Sequence, residues 1–194
     1  MNQQPWREAI RRYGRALRTP LGALRAGVIA AALVAIALAL LVRPVAGPAD
    51  GPQRLIAHSA PAFTLPVTQG SQLAATPYTF APGQDRPTLL VFFNTLCVHC
   101  LSELQTAHNV ALARPHLHVV YIDSPGESAQ IVANYFARLL FTPPVLLDRN
   151  ETVAGRYGVR YYPTLILVDG HGIVRASWLG ETSAGDILAK LAGR

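Results

Sequence analysis

Only two cysteines occur in this chain of 194 residues, Cys97 and Cys100. A scaffold held by several disulfides is therefore excluded. A zinc site would need two more ligands, and His99, His108, His116 and His118 offer no second clustered pair at finger spacing. A c-type haem attachment needs His directly after the second cysteine, where Leu101 stands. Acidic side chains are scarce at the start: residues 1–43 hold one glutamate against seven arginines, while residues 44–194 hold ten basic and ten acidic groups. The net charge of +6 is thus confined to the beginning of the chain, which reads as a topology signal and not as a nucleic-acid surface. With 51% hydrophobic and 14% charged residues the composition is not that of a disordered chain. Its length suits one ordinary domain plus an appendage.

The long apolar run is Ala26–Val42, seventeen residues without a polar side chain. It covers roughly 25 Å as a helix, and roughly 33 Å when started from Leu21 with Arg25 snorkelling to the interface. Six arginines from Arg7 to Arg25 precede it and only Arg43 and Arg54 follow closely, so the positive-inside bias keeps the N-terminus cytoplasmic and exports the rest. A cleaved signal peptide is the competing reading, but the run is long and Pro44-Val45-Ala46 and Val45-Ala46-Gly47 are poor cleavage sites. The expected organisation is a basic cytoplasmic segment over 1–20, a transmembrane anchor over 21–42, a Pro/Gly-rich linker over 43–59 and a folded domain over 60–194.

Within that domain the patterns alternate in type. Thr88–Phe93 is an unbroken apolar run, as expected of a strand covered on both faces. The spacing predicts helix over 98–112, a strand over 117–123, helix over 127–140, an apolar VLLD segment at 145–148 and a short helix over 151–157. Two strands joined through Asp169-Gly170 follow, and a helix over 183–192 closes the chain. This order implies an α/β fold in which a parallel strand pair with a right-handed crossover is extended by an antiparallel hairpin, with helices on both faces.

Cys97 and Cys100 follow the buried strand and open the first predicted helix. The free N–H groups and dipole of a helix start favour a thiolate at Cys97, which makes it the nucleophile, while Cys100 is placed to resolve the mixed disulfide. A purely structural disulfide would close only a four-residue loop, where chain-entropy stabilisation is least. A copper site using both thiolates and a histidine is a rival from another class. His99, between the cysteines, has two readings: stabilising the Cys97 thiolate and making the pair more oxidising, or lying exposed with little influence. Glu103 reads, on its position alone, as an acid complementing the helix dipole.

Four segments in order carry a resemblance: APAFTL at 60–65, VFFNTLCVHC at 91–100, Glu103 three residues beyond Cys100, and GVRYYPTLILVDGHG at 158–172. Together residues 60–192 resemble the thioredoxin superfamily, and within it the membrane-anchored TlpA/ResA-like group that includes cytochrome c maturation thioredoxins. The resemblance implies a thioredoxin-like fold with a central mixed sheet. It implies that Pro163 follows a cis peptide bond and, with Tyr162 and Thr164, aligns an extended substrate. It further implies that Glu103 accepts a proton from Cys100, and that Val98 and His99 tune the potential. The residue before the first cysteine is usually Trp in this group and is Leu96 here. A peroxidase would follow Pro-x-x-x-Thr-x-x-Cys, but Asn94 occupies the Thr position.

The expected function is that of a thiol-disulfide oxidoreductase of the bacterial inner membrane, its C-terminal domain in the periplasm, reducing disulfides of exported proteins such as apocytochrome c. No cofactor or metal is implied, because the dithiol carries two electrons. A membrane electron-transfer protein is the expected dithiol donor. A disulfide oxidase or isomerase, a copper-binding module and a non-catalytic interaction domain remain alternatives.

Overall fold

A computed structural model describes residues 51–193 and, ahead of them, the helical residues Val28, Ile29, Ala31, Ala32 and Val34. The expected basic segment, the remainder of the expected anchor and the first part of the expected linker lie outside the described residues. Among the described residues no helix is long and apolar enough to cross a membrane.

Nine strands and four helices follow Gly51. They are β1 (Phe63–Leu65), β2 (Thr68–Gln69), β3 (Gln72–Leu73), β4 (Tyr78–Phe80), β5 (Thr88–Phe93), α1 (Cys100–Ala113), β6 (His118–Asp123) and α2 (Ala129–Phe136). Then come β7 (Val145–Leu147), α3 (Thr152–Tyr157), β8 (Thr164–Val168), β9 (Val174–Leu179) and α4 (Ala184–Leu191). Five of the strands form one sheet in the order β7-β6-β5-β8-β9, while β1 pairs with β4 and β2 with β3 in small antiparallel ribbons.

Central strand β5 sets the layers. All six of its residues are buried, and because successive side chains point to opposite faces, the run supplies two cores at once. Leu89, Val91 and Phe93 pack with Cys100, Leu104 and Val110 of α1, Phe136 of α2 and Ile187 of α4. Leu90 and Phe92 face the other way, onto Phe63, Phe80, Val153 and Tyr157. Phe63 and Phe80 are stacked with centroids 5.1 Å apart, and the Tyr157 hydroxyl donates to the Pro61 carbonyl at 2.6 Å.

The sheet departs from the expected parallel pair in one respect. VLLD does not remain a bare apolar segment: Val145–Leu147 pairs in parallel with Tyr121–Asp123, so three parallel strands precede the antiparallel hairpin. Three residues are too few to show a period, and their complete burial removes alternation. The connection expected at Asp169-Gly170 is a five-residue loop, because Asp169 Oδ1 accepts from the N–H groups of both His171 and Ile173 at 2.9 Å and holds the chain open.

A second correction concerns the linker. Residues 52–59 do not run free: Pro52–Leu55 forms a 3-10 turn with Pro52 buried, Ala57 donates to Val174 at 2.8 Å and His58 accepts from Val174 at 2.9 Å. This segment covers the start of β9. The opposite margin is covered likewise, with Leu147 donating to Pro66 at 2.9 Å and Val145 to Thr68 Oγ1 at 3.0 Å. Covered edges deny other chains a template for pairing.

Beyond β7, the buried Asp148 carboxylate accepts from the N–H groups of Val153 at 3.2 Å and Ala154 at 2.8 Å, and from the Ser124 hydroxyl at 3.3 Å. It supplies the start of α3 with the acceptors that six residues of helix cannot provide internally. Asp148→Ala should therefore lower unfolding stability by about 2–3 kcal/mol. The check is a denaturant titration, in which the midpoint falls while the slope is unchanged.

Candidate active site

Strand β5 runs parallel to β6 but antiparallel to β8, so the end of β5 and the start of β8 lie at the same edge of the sheet. The register pairs Phe92 with Thr164, which sets the turn after Phe93 against the loop before Thr164. This is how residues 65 positions apart meet: Cys97 Sγ lies 3.5 Å from the Tyr162 carbonyl oxygen.

The turn is shaped by Asn94. Its Oδ1 accepts from the Leu96 N–H at 2.8 Å, its Nδ2 donates to the Ser124 carbonyl at 3.4 Å, and its own carbonyl accepts from Cys97 at 3.1 Å. An Asn that bonds the backbone two residues on is a common turn former. Cys97 and Cys100 are joined by a disulfide. Both were expected to open the helix, but α1 begins at Cys100 with His99 at its N-cap, and Cys97 sits in the preceding turn. The Asn94 bonds hold that turn out of helical geometry.

The two sulfurs have unequal surroundings. Cys100 is completely buried in the core under β5. Cys97 is half-buried and opens on a shallow cleft of about 480 Å³, lined by Asn94, Leu96, Val98, His99, Arg160, Tyr161 and Tyr162 beside it. Leu96 and Val98 are 84% and 82% exposed and Tyr161 70%, so the rim of the cleft is apolar and open.

The Tyr162–Pro163 peptide bond is cis, as the resemblance implied. Pro163 is buried, and the Tyr162 hydroxyl donates to Glu151 Oε1 at 3.2 Å. Burial raises the Tyr162 phenol to about 12, against a lowering contribution from the Ser124 hydroxyl. Thr164 requires a correction: its side chain is fully buried and its hydroxyl donates to Tyr161 O at 2.7 Å. It holds the loop in shape and cannot touch a client. The exposed aromatic of the pair is Tyr161, whereas the sequence offered a site argument for Tyr162 alone.

Glu103 lies one helical turn beyond Cys100, hence on the same face of α1. It is buried, with Oε2 accepting from the Thr182 N–H at 2.9 Å and Oε1 without a partner among the described residues. Burial pushes its carboxyl above the usual range, the Thr182 bond opposes this and the neighbouring Glu181 charge adds to it. His99 is exposed, with Nδ1 3.6 Å from Glu181 Oε1. His108 is stacked on Phe141 at 3.9 Å, and His118 begins β6 at the end of the strand away from this site. Among the described residues no group of three His, Cys, Asp or Glu side chains converges as a metal set.

Sequence reasoning missed several groups here. Tyr135 donates its hydroxyl to the Cys97 carbonyl at 3.4 Å. Asp123, at the end of β6 opposite Phe93, is completely buried, with Oδ2 accepting from the Glu127 N–H at 2.6 Å and Oδ1 unpartnered among the described residues. A lone Asp closing an apolar strand was the available signal, since a strand buried to its last residue forces such a side chain inward.

Residues 56–177 match the AhpC/TSA family. The chain belongs to that family. It is 25% identical to the thiol-disulfide oxidoreductase ResA of Geobacillus thermodenitrificans over 134 residues, 68% of this chain and 74% of that one. It is 27% identical to the soluble secreted antigen MPT53 of Mycobacterium tuberculosis over 181 residues, 92% of this chain and 94% of the relative. Among solved structures, the exposed lipoprotein thioredoxin Etrx1 of Streptococcus pneumoniae superposes with a TM-score of 0.57 at 25% identity, covering 69% of this chain and 100% of that one. These likenesses and the bonded Cys97–Cys100 pair make the chain a TlpA/ResA-like thiol-disulfide oxidoreductase of the thioredoxin superfamily, whose dithiol needs no cofactor.

Asp123 generates a prediction. Burial lifts its carboxyl to about 7, opposed by the Glu127 N–H bond and reinforced by the Glu127 charge. The folded state then keeps this proton to higher pH than the unfolded chain does. Its contribution to stability is complete below the unfolded carboxylate range and is lost as pH rises through about 4 to 7. Asn keeps the acceptor for Glu127 and cannot ionise. Asp123→Asn should match the wild type at about pH 4 and exceed it at about pH 8 by on the order of 2–4 kcal/mol. Chemical unfolding at several pH values measures the gap; a gap independent of pH would show that Asp123 ionises normally in the fold.

Proposed function

We propose that this chain is an exported, membrane-tethered oxidoreductase that reduces disulfides of other exported proteins. The observation that carries the reading is the inequality of the two sulfurs: Cys97 opens on an apolar cleft, while Cys100 is sealed beside a buried carboxyl. In the reduced protein the Cys97 thiolate attacks one sulfur of a client disulfide, and the client's other sulfur leaves as a thiol after taking a proton. Glu103 then accepts the Cys100 proton, Cys100 attacks Cys97, and the second client thiol departs. Two electrons have passed to the client and the protein is left with the Cys97–Cys100 disulfide. A dithiol donor must restore it, and a membrane electron-transfer protein fits that need where disulfides otherwise persist.

Client docking uses the same cleft. An extended segment laid along Tyr161–Tyr162 brings its sulfur to Cys97 while its flanking side chains cover Leu96 and Val98. The Tyr162 carbonyl, just before Pro163, faces Cys97. With Leu96 in place of a larger aromatic the rim is aliphatic, which suits clients with apolar residues beside the cysteine. The tether is argued from the arginine imbalance across 21–42; the description of the relative MPT53 as a soluble secreted antigen supports export and not the tether. Apocytochrome c is one client class consistent with the ResA likeness.

Three measurements test the reading. Reduced Cys100→Ser should accumulate a mixed disulfide with a disulfide-bearing protein, whereas Cys97→Ser should form none; the reverse pattern would exchange the roles of the cysteines. The reduction potential of the pair, read by thiol trapping in dithiol buffers, should fall below roughly −230 mV, and a value near −120 mV would mark an oxidant instead. Glu103→Gln, which keeps the Thr182 bond but cannot accept a proton, should slow resolution by about 10²-fold while leaving the first attack unchanged. Stopped-flow traces that separate the two phases supply the check.

A further inference from the structure

The loop between β9 and α4 reaches the redox helix at two adjacent residues. Thr182 donates to Glu103 Oε2, and Glu181 accepts a hydrogen bond from Ser102 Oγ while lying 3.6 Å from His99 Nδ1. The loop is held at both ends. Gly180, at φ +80°, donates to the Pro163 carbonyl at 2.8 Å, and Ser183 accepts from Asp186 N at 3.1 Å to start α4. One short segment thus grips the buried acid, the start of α1 and the proline loop together. A side chain other than glycine at 180 would be strained in that backbone conformation.

His99 lies between the cysteines and lines the cleft beside Cys97. An imidazolium there would stabilise the thiolate, lower the affinity of Cys97 for its proton and make the dithiol a weaker reductant. Other charges face this spot. Arg160 lines the same cleft, and the buried Glu103 stands on the inner side of the helix start. Glu181 is the acid that the structure places against the imidazole itself, with Ser102 steering its carboxylate.

We propose that Glu181 is a positioning residue of the redox centre, pairing with His99 so that the imidazole's charge is turned away from the Cys97 thiolate and the dithiol stays reducing. This rests on the reading of Cys97 as the attacking thiol.

The test is the thiolate titration of Cys97, followed by ultraviolet absorbance in the full-length Cys100→Ser protein with and without Glu181→Gln, and again with His99→Gln added. Glu181→Gln should raise the thiolate fraction at mildly acid pH by about 1.5- to 5-fold, the scale of an exposed ion pair. In the His99→Gln background the same substitution should change nothing. An unaltered titration in Glu181→Gln, or an equal shift with His99 already removed, would overturn the proposal. A matching thermal midpoint for Glu181→Gln separates this effect from loss of structure. Failure of the exchange reading would look different, because Cys100→Ser would then form no mixed disulfide whatever residue stands at 181.

Discussion

The burial of β5 on both faces is the constraint from which the site follows. A strand with neighbours on both edges and helices or aromatic side chains on both faces has nowhere to present chemistry along its length. Only its end is available, and there the chain must turn abruptly because Phe93 is still fully buried and Asn94 is not. The same constraint recruits the second half of the site. Since β8 runs against β5 with Thr164 opposite Phe92, the residues before Thr164 emerge at the same edge. Cys97 and Tyr162 are neighbours because of register, and neither side chain has to reach across the surface.

Charge beneath the disulfide obeys a second regularity. Glu103 and Asp123 are both fully buried, each has one oxygen held by a backbone N–H and the other unpartnered among the described residues, and both carboxyls are pushed upward by burial. A carboxylate in such a place lacks donors that would stabilise its charge, so burial shifts the balance toward the protonated form. Thiol exchange moves protons as well as electrons, and burial raises the proton affinity of both carboxyls. Their positions differ: Glu103 follows the inner cysteine on the same helix, whereas Asp123 ends the neighbouring strand below Tyr135, whose hydroxyl reaches the Cys97 carbonyl.

Much of this was legible in the sequence where one residue type has one physical use. Thr88–Phe93 shows its bounds because an apolar run without alternation has few other homes, and the Cys-x-x-Cys spacing after it announces the chemistry. The four-segment resemblance supplied the cis bond before Pro163, which no residue pattern could have given. What stayed hidden depends on contacts distant in sequence. Residues 52–59 look like a linker by composition, and only their pairing with β9 shows otherwise. Thr164 looked available to a client until its hydroxyl was found turned onto Tyr161. Glu181 lies 79 residues from Ser102, and nothing near it in the chain marks it as part of a redox centre.

Family membership alone does not choose between reduction of proteins and reduction of peroxides, so the choice falls to local geometry at position 94. A threonine there would present a hydroxyl toward the attacking sulfur's surroundings. Asn94 instead uses both ends of its amide on backbone: one end closes the turn at Leu96, and the other ties it to Ser124 at the end of β6. The turn so fixed lifts Leu96 and Val98 into solvent on either side of Cys97. Exposing two large aliphatic side chains is costly in water and gains nothing with a substrate of a few atoms, whereas a polypeptide laid across them removes that surface from solvent as the sulfur arrives. The apolar rim and the amide of Asn94 therefore argue together for a macromolecular disulfide as the substrate.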